Sequence, residues 1–233
     1  MKPITPREKA KMPFFVRAIL STTVLAVYAC AAAAGAPAYA DEIKSAVEAA
    51  DKEYDIQGEI IVGLLDVESD FSPWAIGVRA SKASLLASHL KHSGFLIWRK
   101  DGSDALSVFP RNIEEAKKLY SFFRNNTPGK KRFGVFNVDF GIAQINIANF
   151  ERLGLGEEYY FDMKKNIHVG AKILRGCYDR FGEYGDHYVV ECYNKGTDIS
   201  KLRKSGFRYY QSLVKAMKSP RLALNKLHRS DAR

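Results

Sequence analysis

The stretch Glu68-Ser69-Asp70-Phe71-Ser72-Pro73-Trp74-Ala75-Ile76-Gly77 ends an apolar helix on a carboxylate. Ile61, Leu64, Leu65 and Glu68 fall at i, i+3, i+4 and i+7, so they share one helical face. Pro73 disfavours helical geometry in the residue before it, which stops the helix between Ser69 and Ser72. A carboxylate on an apolar stripe is costly unless it is paired or neutral. Desolvation raises its pKa and keeps it protonated near neutrality, which is what a general acid needs. A buried glutamate satisfied by an arginine or by backbone donors fits the same periodicity.

On the N-terminal side, residues 43–69 read as two helices, with Ala46, Ala49 and Ala50 in the first and Gly58 between them. On the C-terminal side, the pattern predicts a short helix over 79–88. Phe95 to Phe109 alternates loosely around Asp101-Gly102, a hairpin signal. Ile113 to Phe123 is helix-periodic, and residues 125–132 form a polar, basic loop. Residues 141–153 are helical in part and end at Gly154 and Gly156. Further helices are expected over 166–180, 186–195 and 205–217. The expected class is mainly α (α+β): a helical domain over 41–218, interrupted by a mixed insertion over 79–132 that contains a β-hairpin and a helix. Phe95, Leu96, Ile97, Trp98, Val108 and Phe109 must bury surface, so the insertion should be a folded cover or a partner-binding element. Residues 219–233 form a basic C-terminal tail, expected to fray.

Residues 1–40 have the three parts of a secretory signal peptide. Lys2, Arg7, Lys9, Lys11 and Arg17 precede an apolar run from Ala18 to about Ala34, and Ala38-Tyr39-Ala40 gives the small-x-small cleavage pattern. Cleavage is expected after Ala40, which implies a periplasmic or exported protein with no stable membrane span. An uncleaved anchor, or a lipoprotein on Cys30, is the weaker reading, since the run holds Ser21, Thr22 and Thr23 and bulky Tyr28 precedes Cys30. The whole chain carries 36 Lys+Arg against 26 Asp+Glu, a net of +10. Cleavage removes five basic side chains and one acidic, leaving a net of +6. That balance suits an anionic polymer, but an exported chain without a nucleic-acid motif is a poor fit for nucleic acid. Three cysteines exclude a disulfide scaffold, and no Cys/His cluster has zinc-ligand spacing. Only Cys177 and Cys192 survive cleavage, and an oxidising compartment permits a bridge between them, expected on two adjacent helices. Two buried free thiols are the alternative.

The quoted stretch resembles the signature of the lytic transglycosylases of the lysozyme-like superfamily, Glu-Ser-x-Phe-x-Pro-x-Ala at the end of a helix. Gly141-Ile142-Ala143-Gln144-Ile145-Asn146 resembles the family's Gly-Leu-Met-Gln motif. Cys192-Tyr193-Asn194-Lys195-Gly196 resembles its Ala-Tyr-Asn-x-Gly motif. Each later motif is weak alone; the three in order are specific, and they cover residues 43–218 apart from the insertion. Asp139 before Gly141 and Asn146 after Gln144 are similar to the transglycosylases that accompany type IV secretion and conjugation systems. Three departures stand out. Ala143 replaces a methionine expected to line the glycan cleft, and Cys192 replaces an alanine. Sixty-two residues separate Val78 from Gly141, more than that family usually has there.

The resemblance implies a peptidoglycan-cleaving enzyme with a single catalytic carboxylate, Glu68, and no metal or organic cofactor. Ser69, Gln144, Tyr193 and Asn194 are the residues it implies for binding or orientation. Ser69 would orient the carboxyl, against a plain role in closing its own helix. Gln144 would bond the sugar or orient Glu68, and Tyr193 would place its hydroxyl near Glu68 or the substrate acetamido group. Asn194 also reads as a turn residue with Gly196. Glycosidases commonly use two carboxylates. Asp66 and Asp70 point elsewhere at i±2, and Asp139, by its nearness to the second motif, is the only other plausible candidate. A goose-type-lysozyme-like hydrolase, or a non-catalytic glycan-binding module, would share the cleft. His89, His92, His168, His187 and His228 pair with no nucleophile in the pattern. Lys130-Lys131-Arg132 reads as a solvated loop, with steering of the anionic wall polymer as the alternative. Glycan strands, and secretion or conjugation machinery, are the implied partners.

Overall fold

The computed structural model describes residues 38–99, 102–124 and 127–218. Most of the expected signal segment, the Asp101 position of the hairpin turn and the tail over 219–233 lie outside the described residues. Helix α1 (Ala38–Tyr54) leads into α2 (Gly58–Ser69), strand β1 (Ile76–Ala80) and α3 (Ala83–His92). Strands β2 (Leu96–Trp98) and β3 (Ala105–Phe109) are followed by α4 (Ile113–Phe123), α5 (Pro128–Phe133) and β4 (Val135–Phe140). Next come β5 (Ile145–Asn146), α6 (Ile147–Leu153), α7 (Glu158–Phe161) and α8 (Met163–Phe181). After a 3-10 turn, α9 (Asp186–Lys195), α10 (Ile199–Lys204) and α11 (Arg208–Lys218) complete the described chain. The protein is mainly helical with one small antiparallel sheet, as the sequence predicts. Among the described residues, no helix is long and apolar enough to cross a membrane.

Two sequence-based expectations need correction. Residues 79 and 80 are not helical: Arg79 and Ala80 end β1, which β3 and β4 recruit from either side, and the helix starts at Ala83. Non-local pairing outweighs the local pattern there. The loop expected over 125–132 contains helix α5. Thr127 accepts a hydrogen bond from the Lys130 amide, Pro128 takes the first helical position, and Gly134 ends the helix at φ 61°. Each is a helix-boundary signal that a basic run conceals.

The sheet runs β2-β3-β1-β4-β5, every pair antiparallel. The hairpin of the insertion is therefore not a separate flap. β3 pairs directly with β1, the strand that follows the Glu68 stretch. Alternation gives the sheet two faces. Ile76, Val78, Leu106, Val108, Val138 and Phe140 are buried on one face. On the other, Arg79, Leu96 and Trp98 are exposed, and Gly77, Ser107 and Asp139 are partly so.

The helical part packs α1 against α8, α8 against α9, and α11 against α2. Cys177 on α8 and Cys192 on α9 form a disulfide, with Cα atoms 5.9 Å apart. The bridge expected from the sequence thus joins two adjacent helices. The expected cleavage motif, Ala38-Tyr39-Ala40, forms the first turn of α1, where Ala40 is buried and the Tyr39 ring meets Trp74 edge-on.

Candidate active site

Glu68 sits in the last turn of α2, on the face shared with buried Ile61, Leu64 and Leu65. Its residue as a whole is half-buried, but its carboxyl end is desolvated. Burial pushes its pKa from 4.5 up to about 7, and the nearby charge of Asp139 adds to the rise. The Tyr209 hydroxyl, which donates to Oε1 at 2.5 Å, and the Lys195 ammonium work the other way. The carboxyl is therefore close to half-protonated at neutrality. It can give a proton and then hold the charge that remains.

The chain leaves the helix abruptly. The Asp70 amide donates to the Asp66 carbonyl and the Phe71 amide to the Leu65 carbonyl, and Asp70 and Phe71 both take left-handed φ values, 55° and 59°. Two consecutive non-glycine residues in that region cost free energy that the surroundings must offset. Buried Phe71 supplies part of that offset by packing into the core.

The second motif forms a tight turn below Glu68. Gly141 has φ 79°, and a Cβ there would lie 2.3 Å from the Tyr160 carbonyl oxygen, so no other residue fits. The Gln144 Nε2 donates to the Ala75 carbonyl at 2.9 Å and the Gly141 carbonyl at 2.8 Å. This clasps the turn to the chain just after the first motif. The Gln144 side chain lies over Gly77, where a Cβ would come within 2.6 Å of Oε1. Gln144 thus braces the site through backbone carbonyls. Ala143 points inward and is fully buried, packed toward Gly170 and the apolar side of α2. It does not line an open cleft, which corrects the expectation drawn from the missing methionine.

Tyr193, on α9, donates its hydroxyl to the Ala143 carbonyl at 2.7 Å. Burial, followed by the charges of Glu68 and Asp139, holds its phenol well above the usual range, so it stays protonated beside both carboxylates. Asp139 lies on β4, where burial raises its pKa and amide donors oppose the rise. Those donors are Asn146 Nδ2 at 2.7 Å from Oδ1 and Asn137 Nδ2 at 3.1 Å from Oδ2.

The structure thus brings Glu68, Gln144, Tyr193 and Asp139 together. Ser69 is buried, but its hydroxyl donates to the Leu65 carbonyl at 3.1 Å, one turn back. It closes its own helix, the plainer of the two roles open to it. Asn194 is exposed, and the turn after α9 is closed by the Gly196 amide on the Cys192 carbonyl at 2.8 Å. Among the described residues, no group of three or more His, Cys, Asp or Glu side chains is placed to hold a metal ion.

Three supporting residues escape a reading by motif. Tyr209 donates the hydrogen bond to Glu68 described above, yet no local pattern marks it. Glu191 is fully buried on α9 and accepts from the Tyr209 and Tyr210 amides at 2.9 and 3.2 Å, so it caps the start of α11. Asn166 is fully buried on α8, accepts from the Ala143 amide, and donates toward the Phe140, Tyr159 and Tyr160 carbonyls. Both interrupt apolar helix faces, the same signal that singles out Glu68.

The model of one protein family, described as the transglycosylase SLT domain, matches residues 45–212. That span holds Glu68, Gln144, Tyr193 and Tyr209. No curated protein and no solved structure matches the chain.

Proposed function

The chain belongs to the transglycosylase SLT family, lytic transglycosylases of the lysozyme-like superfamily that act on peptidoglycan, and on that premise we propose that it cleaves the β-1,4 bond between N-acetylmuramic acid and N-acetylglucosamine with Glu68 as acid and base. The observation that carries the proposal is a Glu68 carboxyl poised at about 7 beneath a tyrosine donor. The protonated carboxyl gives its proton to the glycosidic oxygen as the bond to the muramoyl C1 breaks, and the N-acetylglucosamine side leaves as an alcohol. The substrate's own acetamido group stabilises the oxocarbenium-like C1. The Glu68 carboxylate then takes the proton from the muramoyl 6-hydroxyl, whose oxygen closes onto C1. The product is a 1,6-anhydro ring, and Glu68 ends protonated as it began.

The chain acts after export, with residues 1–40 removed, as one catalytic domain over 41–218 carrying the insertion 79–132. The Cys177–Cys192 bridge suits an oxidising compartment. Local wall opening for a secretion or conjugation machine is the role suggested by Asp139 and Asn146 flanking the second motif. The nearness of Asp139 to Glu68 favours one second reading, a goose-type-lysozyme-like hydrolase in which Asp139 activates water.

Mass spectrometry of muropeptides released from purified sacculi tests the proposal. The wild-type protein should release anhydro-muropeptides, each lighter by one water than a hydrolytic product. Glu68→Gln should fold normally and lose about 10²–10⁴-fold in rate, the range for a positioned general acid. A folded Glu68→Gln protein releasing anhydro products at the wild-type rate would overturn the assignment.

A further inference from the structure

The open face of the sheet holds a feature that the proposed chemistry does not use. Trp98 is 63% exposed and Leu96 56% exposed, side by side on β2, the edge strand contributed by the insertion. Ile97, between them, points to the other face and packs on the core. Large apolar side chains gathered at an exposed position on a sheet mark a contact surface more often than isolated ones do.

The register connects this pair to the candidate active site. Asn146 pairs with Asp139, Asp139 with Gly77, Gly77 with Ser107, and Ser107 with Trp98. Directly paired residues project to the same face. One row of side chains therefore crosses all five strands, with Asp139 near one end and Trp98 at the other. Asp139 is close enough to Glu68 for its charge to act on the Glu68 carboxyl. Between Asp139 and Trp98 stand only Gly77 and Ser107. Gly77 has no side chain and Ser107 a small one, which leaves a low floor beyond the edge of Gln144, which covers Gly77. Three strand spacings separate Asp139 from Trp98, about 14 Å, or roughly three sugar rings.

We propose that the open face of the sheet continues the glycan cleft outward from Glu68, and that Trp98 is the platform on which a sugar ring distant from the scissile bond stacks. The occupant is a β-1,4-linked N-acetylhexosamine strand, the class of substrate assigned to Glu68, so this inference rests on that reading. A pyranose presents an apolar C–H face and a polar rim. The face matches an indole, which offers a large rigid surface at little entropic cost. The continuity of the row with the Glu68 site selects the glycan over a separate protein partner. The insertion then becomes part of the substrate surface, reaching beyond the helical motifs.

The test is calorimetric titration of N-acetylglucosamine tetramer and octamer into Glu68→Gln protein, alone and combined with Trp98→Ala or Trp98→Phe. The parent should bind the octamer more tightly than the tetramer. Trp98→Ala should weaken octamer binding about tenfold, the scale of losing one aromatic anchor, and close the gap between the two lengths. Trp98→Phe, which keeps a ring, should recover most of the loss. Trp98 is largely exposed, so circular dichroism and thermal melting should show an unchanged fold. A folded Trp98→Ala protein that keeps the full length dependence overturns the proposal and leaves the patch to a protein partner. If the parent binds neither oligomer, this proposal and the assigned substrate fall together. If it binds both with the expected Trp98 dependence while wild-type protein releases no anhydro-muropeptides, the platform stands and the lytic chemistry falls.

Discussion

The Tyr209 hydroxyl donates to Oε1 of Glu68 at 2.5 Å, from 141 positions further along the chain. α11 packs against α2 to bring the two together. The bond favours the carboxylate and so opposes the burial that raises the Glu68 pKa. Tyr209→Phe removes the donor and keeps the ring. The Glu68 pKa should then rise above about 7, and the alkaline fall in activity should move to higher pH. The maximal rate should drop about tenfold or more, since a hydrogen bond to a charged group contributes ~1.5–3 kcal/mol. A pH–rate profile of the folded variant is the check. An alkaline limb that stays in place would show that the contact does not govern Glu68.

Glu191 acts one step behind that contact. Its Oε1 holds the Tyr209 and Tyr210 amides at the start of α11, and its Oε2 is buried with no hydrogen-bond partner among the described residues. Glu191→Ala leaves two amides of a partly buried helix start without their acceptor and should cost ~1–3 kcal/mol of stability. Glu191→Gln keeps one carbonyl acceptor and should cost less. Because the cap fixes where Tyr209 stands, Glu191→Ala should also shift the pH–rate profile in the direction of Tyr209→Phe. Chemical denaturation together with that profile separates the two effects. Lost stability with an unmoved profile would confine Glu191 to the fold.

The disulfide ties the helix that carries Tyr193 to the helix beneath it. It closes a loop of 15 positions, which in the chain-entropy description corresponds to about 3 kcal/mol at 25 °C. Cys177→Ala with Cys192→Ala, a pair that avoids a lone thiol, should lower the denaturation midpoint by a comparable free energy. The slope of the denaturation curve should rise if the unlinked unfolded chain exposes more surface. Equal stability of the bridged and unbridged proteins would mean that the bridge constrains nothing that folding does not already fix.

The sequence was most legible where function and local geometry coincide. The face Ile61, Leu64, Leu65, Glu68 and the stop before Pro73 locate both the end of α2 and the carboxyl it presents. Ile113–Phe123 and Asp186–Lys195 are likewise written in local periodicity and appear as read. β1 and β4 were not legible. Gly77 weakens the alternation of one, and in the other the register slips opposite Arg79 and Ala80, leaving Phe136 outward. Their identity as strands comes from partners far away in sequence. Tyr209 is hidden for the same reason, since its role exists only once α11 lies on α2. Ser69 shows how local geometry competes with a motif reading. A motif position suggested contact with the carboxyl, but a hydroxyl in a last helical turn has a carbonyl four residues back within reach, and Ser69 takes it.

Asp139 decides between the two chemistries that the site allows. Its carboxylate is held by the Asn137 and Asn146 amides, on the open face of the sheet and within electrostatic reach of Glu68. If Asp139 activates water, Asp139→Asn should abolish turnover as severely as Glu68→Gln, and any product should be the hydrated one. If the muramoyl 6-hydroxyl closes the ring, the loss should be milder and the product should remain anhydro. A second effect comes from charge. Asp139 raises the Glu68 pKa by repulsion, so removing its charge lets Glu68 ionise at lower pH. The alkaline limb of Asp139→Asn should therefore lie below about 7, opposite in direction to the shift expected for Tyr209→Phe. Both variants are read in one assay, muropeptide release against pH. A milder loss with anhydro product and a limb displaced to acid assigns Asp139 to tuning the acid, and a loss equal to that of Glu68→Gln with hydrated residual product assigns it to the base.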